Sequence, residues 1–194
     1  MLIFEMSTME PGLVISVRSF GVGGRTIRGT LGSFTNHNAL SVFDHPSERF
    51  KIAEAVMPVS KLTELAEYEH KMNLPKTHRD YIIVRIWRVK GLTTAEKFAI
   101  SEYARCKLMG IPYPINSVLR MWVFRFVNSL PWEIEGKWCS QLDADAIQHV
   151  KPNALLDPRG KIKKNFTPRT FENRLVSGAI EDATDEIIVN VDRI

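Results

Sequence analysis

Four β-rich segments, each bounded by turn residues, constrain the fold of this chain more than any other feature. They are Pro11–Arg18, Asn38–Phe43, Glu48–Val56 and Tyr81–Val89. All of them are short and rich in β-branched or aromatic residues, the composition typical of strands. The second and third segments flank the turn Asp44–Ser47, so they predict an antiparallel hairpin. Three of these segments precede the first helical segment and the fourth precedes the other two, and this order predicts an α+β fold.

Helical periodicity predicts three helices. The first runs from Pro58 to about His70 and has leucines on one side. The second is capped at Thr93, because Thr93 followed by Glu96 fits a capping box, and it extends to about Met109. The third covers about Cys139–Val150, where apolar residues form one stripe.

The whole chain, residues 1–194, is predicted to form a single domain, because it contains no repeat and no long linker. The predicted strands and helices all lie within residues 10–150. Residues 151–194 are more polar and are expected to pack on the domain as a C-terminal extension. A basic stretch and a later acidic group occupy this extension: Arg159, Lys161, Lys163, Lys164, Arg169, Arg174, then Glu181, Asp182, Asp185, Glu186 and Asp192.

The charge balance argues against a dedicated nucleic-acid-binding protein. Lysine and arginine exceed aspartate and glutamate by 26 to 22, which gives a net charge of +4. This mild excess is compatible with an anionic partner surface but is well below the density of a nucleic-acid binder. Basic residues around the fourth strand, including Arg85 and Arg88, are more typical of a solvated sheet edge. Nucleic acid is therefore not an expected partner.

Hydropathy predicts a chain without a transmembrane segment or an export signal. No apolar run approaches the ~18 residues that a membrane span requires. Only four apolar residues, Met1–Phe4, precede Glu5, and a secretory signal needs a longer apolar core. We therefore expect a chain that is cytoplasmic as synthesised, with its two cysteines reduced. A target outside the cell would then require delivery by a virion or a secretion apparatus.

Motifs for phosphate groups and metals are incomplete. The segment Gly24–Gly29 has the glycine spacing of a phosphate-binding loop, but Thr30 stands where that motif requires lysine. The histidines show no spacing typical of a metal-binding helix or a zinc knuckle, and two cysteines do not make a zinc site. We therefore expect no cofactor and no metal.

Cys139 is the first candidate for a chemical role. It lies where a loop becomes a helix, and the positive end of the helix dipole favours a thiolate there. The alternative, a small buried apolar residue, is equally consistent with its position. Cys106 serves as an internal comparison, because it lies within a predicted helix and is interpreted as structural.

A nucleophilic cysteine needs an imidazole base, and that base needs a polar group to orient it. Glu54 lies on a strand face that is otherwise apolar, where an unpaired carboxylate is costly. His37 opens the neighbouring strand, so its ring can meet Glu54 across the hairpin. Two alternatives stay open: a half-exposed edge strand is an alternative environment for Glu54, and a capping or turn position is an alternative for His37.

Five short motifs, in one order along the chain, resemble a known superfamily. They are Pro11-Gly-Leu-Val-Ile-Ser-Val-Arg18, Gly32-Ser-Phe-Thr-Asn-His37-Asn-Ala-Leu-Ser-Val42, Ile52-Ala-Glu54-Ala55, Gly110-Ile-Pro-Tyr113 and Trp138-Cys-Ser-Gln-Leu142. Together they are similar to the circularly permuted papain-like NlpC superfamily, which includes the YiiX and YaeF type bacterial proteins and, more distantly, lecithin retinol acyltransferase. The resemblance spans roughly residues 10–150 and departs from the family pattern at Leu13, Asn36 and Gln141.

This resemblance implies a permuted papain-like fold, with an antiparallel sheet packed against helices. It also implies a cysteine amidase or peptidase type of hydrolase, in which Cys139 is the nucleophile, His37 the general base and Glu54 the residue that orients the imidazole. Its implied substrates are peptidoglycan stem peptides or lipid amides and esters, and an acyltransferase stays open. Tyr113 would lie near the cleft or in the core, and Met121–Val127 would line an acyl pocket or pack in the core.

A second hypothesis is a papain-like fold retained as a non-catalytic binding or structural module, in a virion or a membrane-surface assembly. The basic stretch from Arg159 to Arg174 would then contact a partner. The set Cys139, His37 and Glu54 distinguishes the two hypotheses, because a pure scaffold has no need of it. The sequence therefore favours the enzyme.

Overall fold

A computed structural model describes residues 1–20, 24–25, 28–29, 34–75, 81–113, 139–155, 171 and 179–190 of the chain. Its strands are β1 (Leu2–Phe4), β2 (Val14–Ser19), β3 (His37–Asp44), β4 (Arg49–Glu54), β5 (Lys61–Glu64), β6 (Tyr81–Val89), β7 (Ile180–Asp182) and β8 (Ile188–Asn190). Its helices are α1 (Leu65–Asn73), α2 (Thr94–Tyr103), α3 (Cys139–Val150) and α4 (Thr184–Ile187). Among the described residues, no helix combines the length and the apolar character that crossing a membrane requires.

The architecture is α+β and is built on an antiparallel sheet. Six strands pair in the order β5-β4-β3-β2-β6-β7, and β1 pairs with β8 in a separate two-stranded sheet. The predicted hairpin is confirmed, since β3 and β4 are antiparallel and Phe43 lies opposite Phe50. The predicted strand Tyr81–Val89 is confirmed as β6.

The large sheet has an apolar core on each face. Alternate residues of each central strand point to opposite sides, so one strand contributes to both cores. Ala53 belongs to a first core, in which the sheet packs against α2 and α3. Its neighbour Ile52 belongs to a second core, which also contains buried residues of α1 and β1. The central strands therefore lie between two apolar layers.

The predicted helix from Pro58 to about His70 is wrong in its first half. Residues Lys61–Glu64 form β5, and the helix begins only at Leu65. The reason is tertiary: β5 pairs with the edge of β4, where Lys51 lies opposite Glu64 and bonds to it at 3.0 Å. Backbone pairing at an open strand edge outweighs the modest helix propensity of four residues.

The capping box that opens α2 is confirmed. The Thr93 hydroxyl accepts the Glu96 N–H at 3.2 Å, and the Glu96 carboxylate accepts the Thr93 N–H at 2.7 Å. After Tyr103 the helix continues as a π-helical turn over Ala104–Leu108. It ends at Gly110, whose φ of 77° is the left-handed conformation that terminates helices.

The described part of residues 151–194 takes part in both sheets. Strand β7 pairs with β6, so β6 is an internal strand and not the solvated edge that the sequence suggested. Its Arg88 bonds to the carboxylates of Glu10, Glu181 and Glu186 at 2.7, 3.2 and 2.8 Å. Arg88 is therefore paired with acidic residues within the fold.

The two ends of the described chain lie side by side. Strand β1 pairs with β8 in antiparallel register, with Leu2 opposite Asn190. The side chain of Asn73, at the end of α1, accepts the Leu2 N–H at 2.8 Å and donates to the Leu2 carbonyl at 2.7 Å. The aromatic segment Val118–Leu130 and the basic residues from Arg159 to Arg174 lie outside the described residues.

Replacing Thr93 with alanine removes half of the capping box. We expect the free energy of unfolding to fall by about 1 kcal/mol, since the first turn of α2 loses a hydrogen-bond acceptor. Urea denaturation measures this change. Thr94→Ala is the matched control, because Thr94 is the first residue of the helix and not its cap. Equal losses in the two variants would show that the capping box contributes nothing measurable.

Candidate active site

His37 and Glu54 are brought together by the register of the β3–β4 hairpin. Glu54 lies opposite Ala39, so His37 is its diagonal neighbour on the same face. His37 Nε2 and Glu54 Oε2 are 3.0 Å apart. Both residues are buried, with exposed fractions of 7% and 2%. The pairing that the sequence indicated is therefore present in the structure.

Glu54 is held by two further donors. The Thr63 hydroxyl of β5 donates to its carboxylate at 2.5 Å, and the Tyr68 hydroxyl of α1 donates at 2.6 Å. Burial acts to raise the pKa of Glu54, but the bond to His37, the charge of His37 and these two hydroxyls lower it to about 2. Glu54 is thus a buried and fully paired anion, not a half-exposed residue on an edge strand.

Cys139 is the first residue of α3 and is buried, with 4% of its surface exposed. Burial alone would raise the pKa of its thiol. The pKa is lowered instead, because His37, the backbone N–H of Asn38 and the hydroxyl of Ser140 interact with the sulfur. Both descriptions of Cys139 that the sequence left open hold in part, because the residue lies in the first core and also has polar partners.

His37 links the cysteine to the carboxylate. Burial acts to lower its pKa, but interactions with the Cys139 sulfur and the Glu54 carboxylate raise it well above the ordinary histidine value. Because Glu54 bonds Nε2, the ring nitrogen left for the sulfur is Nδ1. Both pKa shifts act in the direction that favours a thiolate and an imidazolium beside the Glu54 carboxylate.

Cys106 differs from Cys139 in its exposure and in the direction of its pKa shift. It is exposed and its thiol donates to Glu102 Oε1 at 3.0 Å. That hydrogen bond to an anion raises the pKa of Cys106. The two cysteines of the chain therefore provide a comparison within one molecule.

Tyr113 lies on the loop that follows the π-helical turn, and this loop is tied to the segment before β5. Tyr113 N–H donates to the Pro58 carbonyl at 2.9 Å, and Gly110 N–H donates to the Ser60 carbonyl at 2.9 Å. Burial, followed by the negative charge at Cys139, raises the pKa of Tyr113. Tyr113 therefore packs against the first core within electrostatic range of the sulfur.

Four residues around the three candidates were not identified from the sequence: Asn38, Thr63, Tyr68 and Asp143. The helix predicted from Pro58 to about His70 includes Thr63, so the sequence does not indicate that Thr63 lies beside Glu54. Asp143 lies four residues after Cys139 and is fully buried. The spacing of one helical turn is the signal that could have identified it.

The described residues contain no cluster of three or more histidine, cysteine or acidic side chains that is arranged to hold a metal ion. Cys139, His37 and Glu54 instead form a linear relay, in which each group interacts with the next.

Comparison with known proteins gives a likeness of fold with solved structures. No family model matches the chain, and no curated protein matches it. Among solved structures, the chain is similar to the metalloprotein yiiX from Escherichia coli O157:H7, described there as DUF1105. The likeness has a TM-score of 0.52 and 18% sequence identity, and it covers 74% of this chain and 67% of that one. The fold is similar to that of yiiX. This agrees with the YiiX-type resemblance of the sequence at the level of the fold.

The variant Glu54→Gln tests whether the ionised carboxylate of Glu54 stabilises the fold. Above its ordinary pKa of 4.5 the ionised Glu54 stabilises the folded state, and this contribution is lost as the pH falls toward about 2. The difference in unfolding free energy between wild type and Glu54→Gln should therefore shrink over that range. Denaturation at a series of pH values measures it.

Tyr68→Phe is the companion variant, because it removes one hydrogen bond from Glu54 and keeps the charge. We expect it to cost about 1–3 kcal/mol at neutral pH, the usual penalty for an unsatisfied buried group. A Glu54→Gln protein whose stability follows that of the wild type in parallel at every pH would contradict the assignment of Glu54 as a paired anion.

Proposed function

We propose that this protein is a thiol hydrolase that cleaves an amide or ester bond through Cys139, His37 and Glu54. The observation that carries the proposal is the convergence of these three side chains from α3, β3 and β4. His37 interacts with both of the others, and its bond to Glu54 is 3.0 Å long. A nucleophile, a base and an orienting group in this relation are the requirements of covalent acyl transfer.

In the proposed reaction, the Cys139 thiolate attacks the carbonyl carbon of the substrate and forms a tetrahedral intermediate. The His37 imidazolium then donates its proton to the leaving amine or alcohol as the bond breaks. This leaves a thioester on Cys139 and a neutral imidazole. Water attacks the thioester while His37 accepts its proton, the C–S bond breaks to release the carboxylic acid product, and the thiolate–imidazolium pair is restored. Glu54 keeps the ring oriented throughout and stabilises its charged form.

The developing oxyanion needs donors at the start of α3. The first N–H groups of a helix have no partner within it, and the helix dipole places partial positive charge there. Since Cys139 is the first residue of α3, its own N–H is the donor that we assign to the oxyanion. This assignment agrees with the role that the family resemblance implies.

The proposed substrates are cell-wall peptides or lipids, and they follow from the family resemblance. The structure of yiiX is described as that of a metalloprotein, and the residues that the structure describes here contain no cluster of three or more histidine, cysteine or acidic side chains arranged for a metal ion.

The first test is the rate of iodoacetamide alkylation at pH 6, assigned to Cys139 or Cys106 by peptide mass. We expect Cys139 to react much faster, although it is more buried, because only a thiolate is a good nucleophile and its pKa is lowered. Cys106 has a raised pKa and should react slowly despite its exposure.

The variant His37→Ala should remove the difference between the two cysteines. Its matched control is His45→Ala, because His45 is outside the site and should leave the rates unchanged. Equal slow rates for both thiols in the wild type would show that the pair is not charged at rest. The non-catalytic binding module would then be the better hypothesis.

A second test asks whether an acyl-enzyme forms. Incubation with activated esters and with peptide and lipid amides should give a protein whose mass is increased by the acyl group. Peptide mapping should place the group on Cys139 and find none in Cys139→Ala. Cys106→Ala should acylate as the wild type does. Acylation that persists in Cys139→Ala would assign the chemistry to another residue.

A further inference from the structure

Asp143 is a buried acid without a hydrogen-bond partner among the described residues. It is fully buried in α3, and neither oxygen of its carboxyl group is exposed to solvent or bonded within that part of the chain. Its neighbours along the helix, Leu142, Ala144 and Ile147, are equally buried and belong to the first core. A buried polar group without a bond is uncommon in folded proteins, so this one requires an explanation.

An ionised carboxylate at this position would be very costly. Removing an unpaired charge from water into an apolar core costs far more than burying the neutral acid. The Asn38 side chain does not compensate for it, because both polar atoms of its amide are themselves without partners. The burial and the missing donors together favour the protonated form of Asp143.

The charge of Cys139 gives an electrostatic reason for Asp143 to stay protonated. The two residues are four apart on one helix, so their side chains point to the same side, one turn from each other. Negative charge on the Cys139 sulfur disfavours a second negative charge on Asp143. Burial is the largest cause of the raised pKa of Asp143, the charge at Cys139 acts in the same direction, and His37 opposes both.

We propose that Cys139 and Asp143 ionise in inverted order: the thiol loses its proton first, and the carboxyl one turn away keeps its proton in the resting protein. The proposal rests on the thiolate–imidazolium pair described under the proposed function. In isolated side chains the order is the opposite, since an aspartic acid ionises about four to five pH units below a cysteine.

The groups that face Asp143 support this order. On its own helix the charged neighbour is Cys139, and from β3 it is His37. From α2 and the π-helical turn, the buried residues that complete the first core are Ile100, Ala104 and Leu108, all apolar. Tyr113 packs against the same core, and its raised pKa means that it adds no negative charge beside Cys139. Within the described residues, the cation near Asp143 is therefore already shared with Cys139 and Glu54.

Infrared spectroscopy tests the proposal on the full chain. The wild type at neutral pH should show a carbonyl band of a protonated carboxylic acid, and Asp143→Asn should lack it. On raising the pH, this band should disappear at a midpoint above that for alkylation of Cys139. The absence of an assignable band, or a midpoint below that of Cys139, would overturn the inverted order.

The variant Cys139→Ser distinguishes the effect of the Cys139 charge on the ionisation of Asp143 from the effect of burial alone. The variant has no thiolate, so the band of Asp143 should disappear at a lower pH, by about one unit or more if the groups are coupled. Alkylated wild-type protein provides the same comparison if a variant fails to fold. An unchanged midpoint in both would overturn the coupling.

Alkylation of Asp143→Asn gives an independent readout. If Asp143 is neutral at rest, this neutral replacement should leave the pH midpoint for alkylation of Cys139 unchanged. If Asp143 carries a charge, its removal should lower that midpoint, and the proposal would be wrong. These measurements do not depend on hydrolase activity. A failure of the proposed function would appear separately, as a midpoint for alkylation of Cys139 in the ordinary thiol range.

Discussion

The bond between His37 and Glu54 is the interaction on which the rest of the site depends. It places a carboxylate inside an apolar face of the sheet, where an unpaired charge would be strongly destabilising. The fold meets this requirement with the Thr63 hydroxyl from β5 and the Tyr68 hydroxyl from α1. Four elements must therefore be in place before Glu54 is satisfied, so the site and the fold form together.

The same requirement explains the position of the sulfur. His37 opens β3 at the end of the sheet, and from there its ring reaches both Glu54 and the first residue of α3. Cys139 lies in the first core, and Glu54 lies on the face of the sheet that carries the second. In the proposed charge state, the imidazolium between them is a counter-charge that two buried anions share. Asp143 is a third acid in this region, and a single imidazolium is insufficient for three negative charges.

The elements that the sequence predicts well are those with a local signal. The β3–β4 hairpin follows from alternation around a turn, α2 from its capping box, and α3 from an apolar stripe. Glu54 could be identified because it interrupts an apolar face. Strand β5 could not, because four residues carry too little pattern and their pairing depends on the edge of β4. Asp143 was missed for a related reason, since an acid in an amphipathic helix usually faces water.

The pairing of β1 with β8 holds the two ends of the described chain close together. Leu2 lies opposite Asn190, and the Met1 amino group donates to the side chain of that asparagine at 3.3 Å. A short linker could therefore join these ends into a closed ring without disturbing the sheet. Such a ring would restrict the unfolded chain and lose less entropy on folding. It could also be reopened at the exposed turn between β3 and β4, so that a chain beginning elsewhere would assemble the same relay.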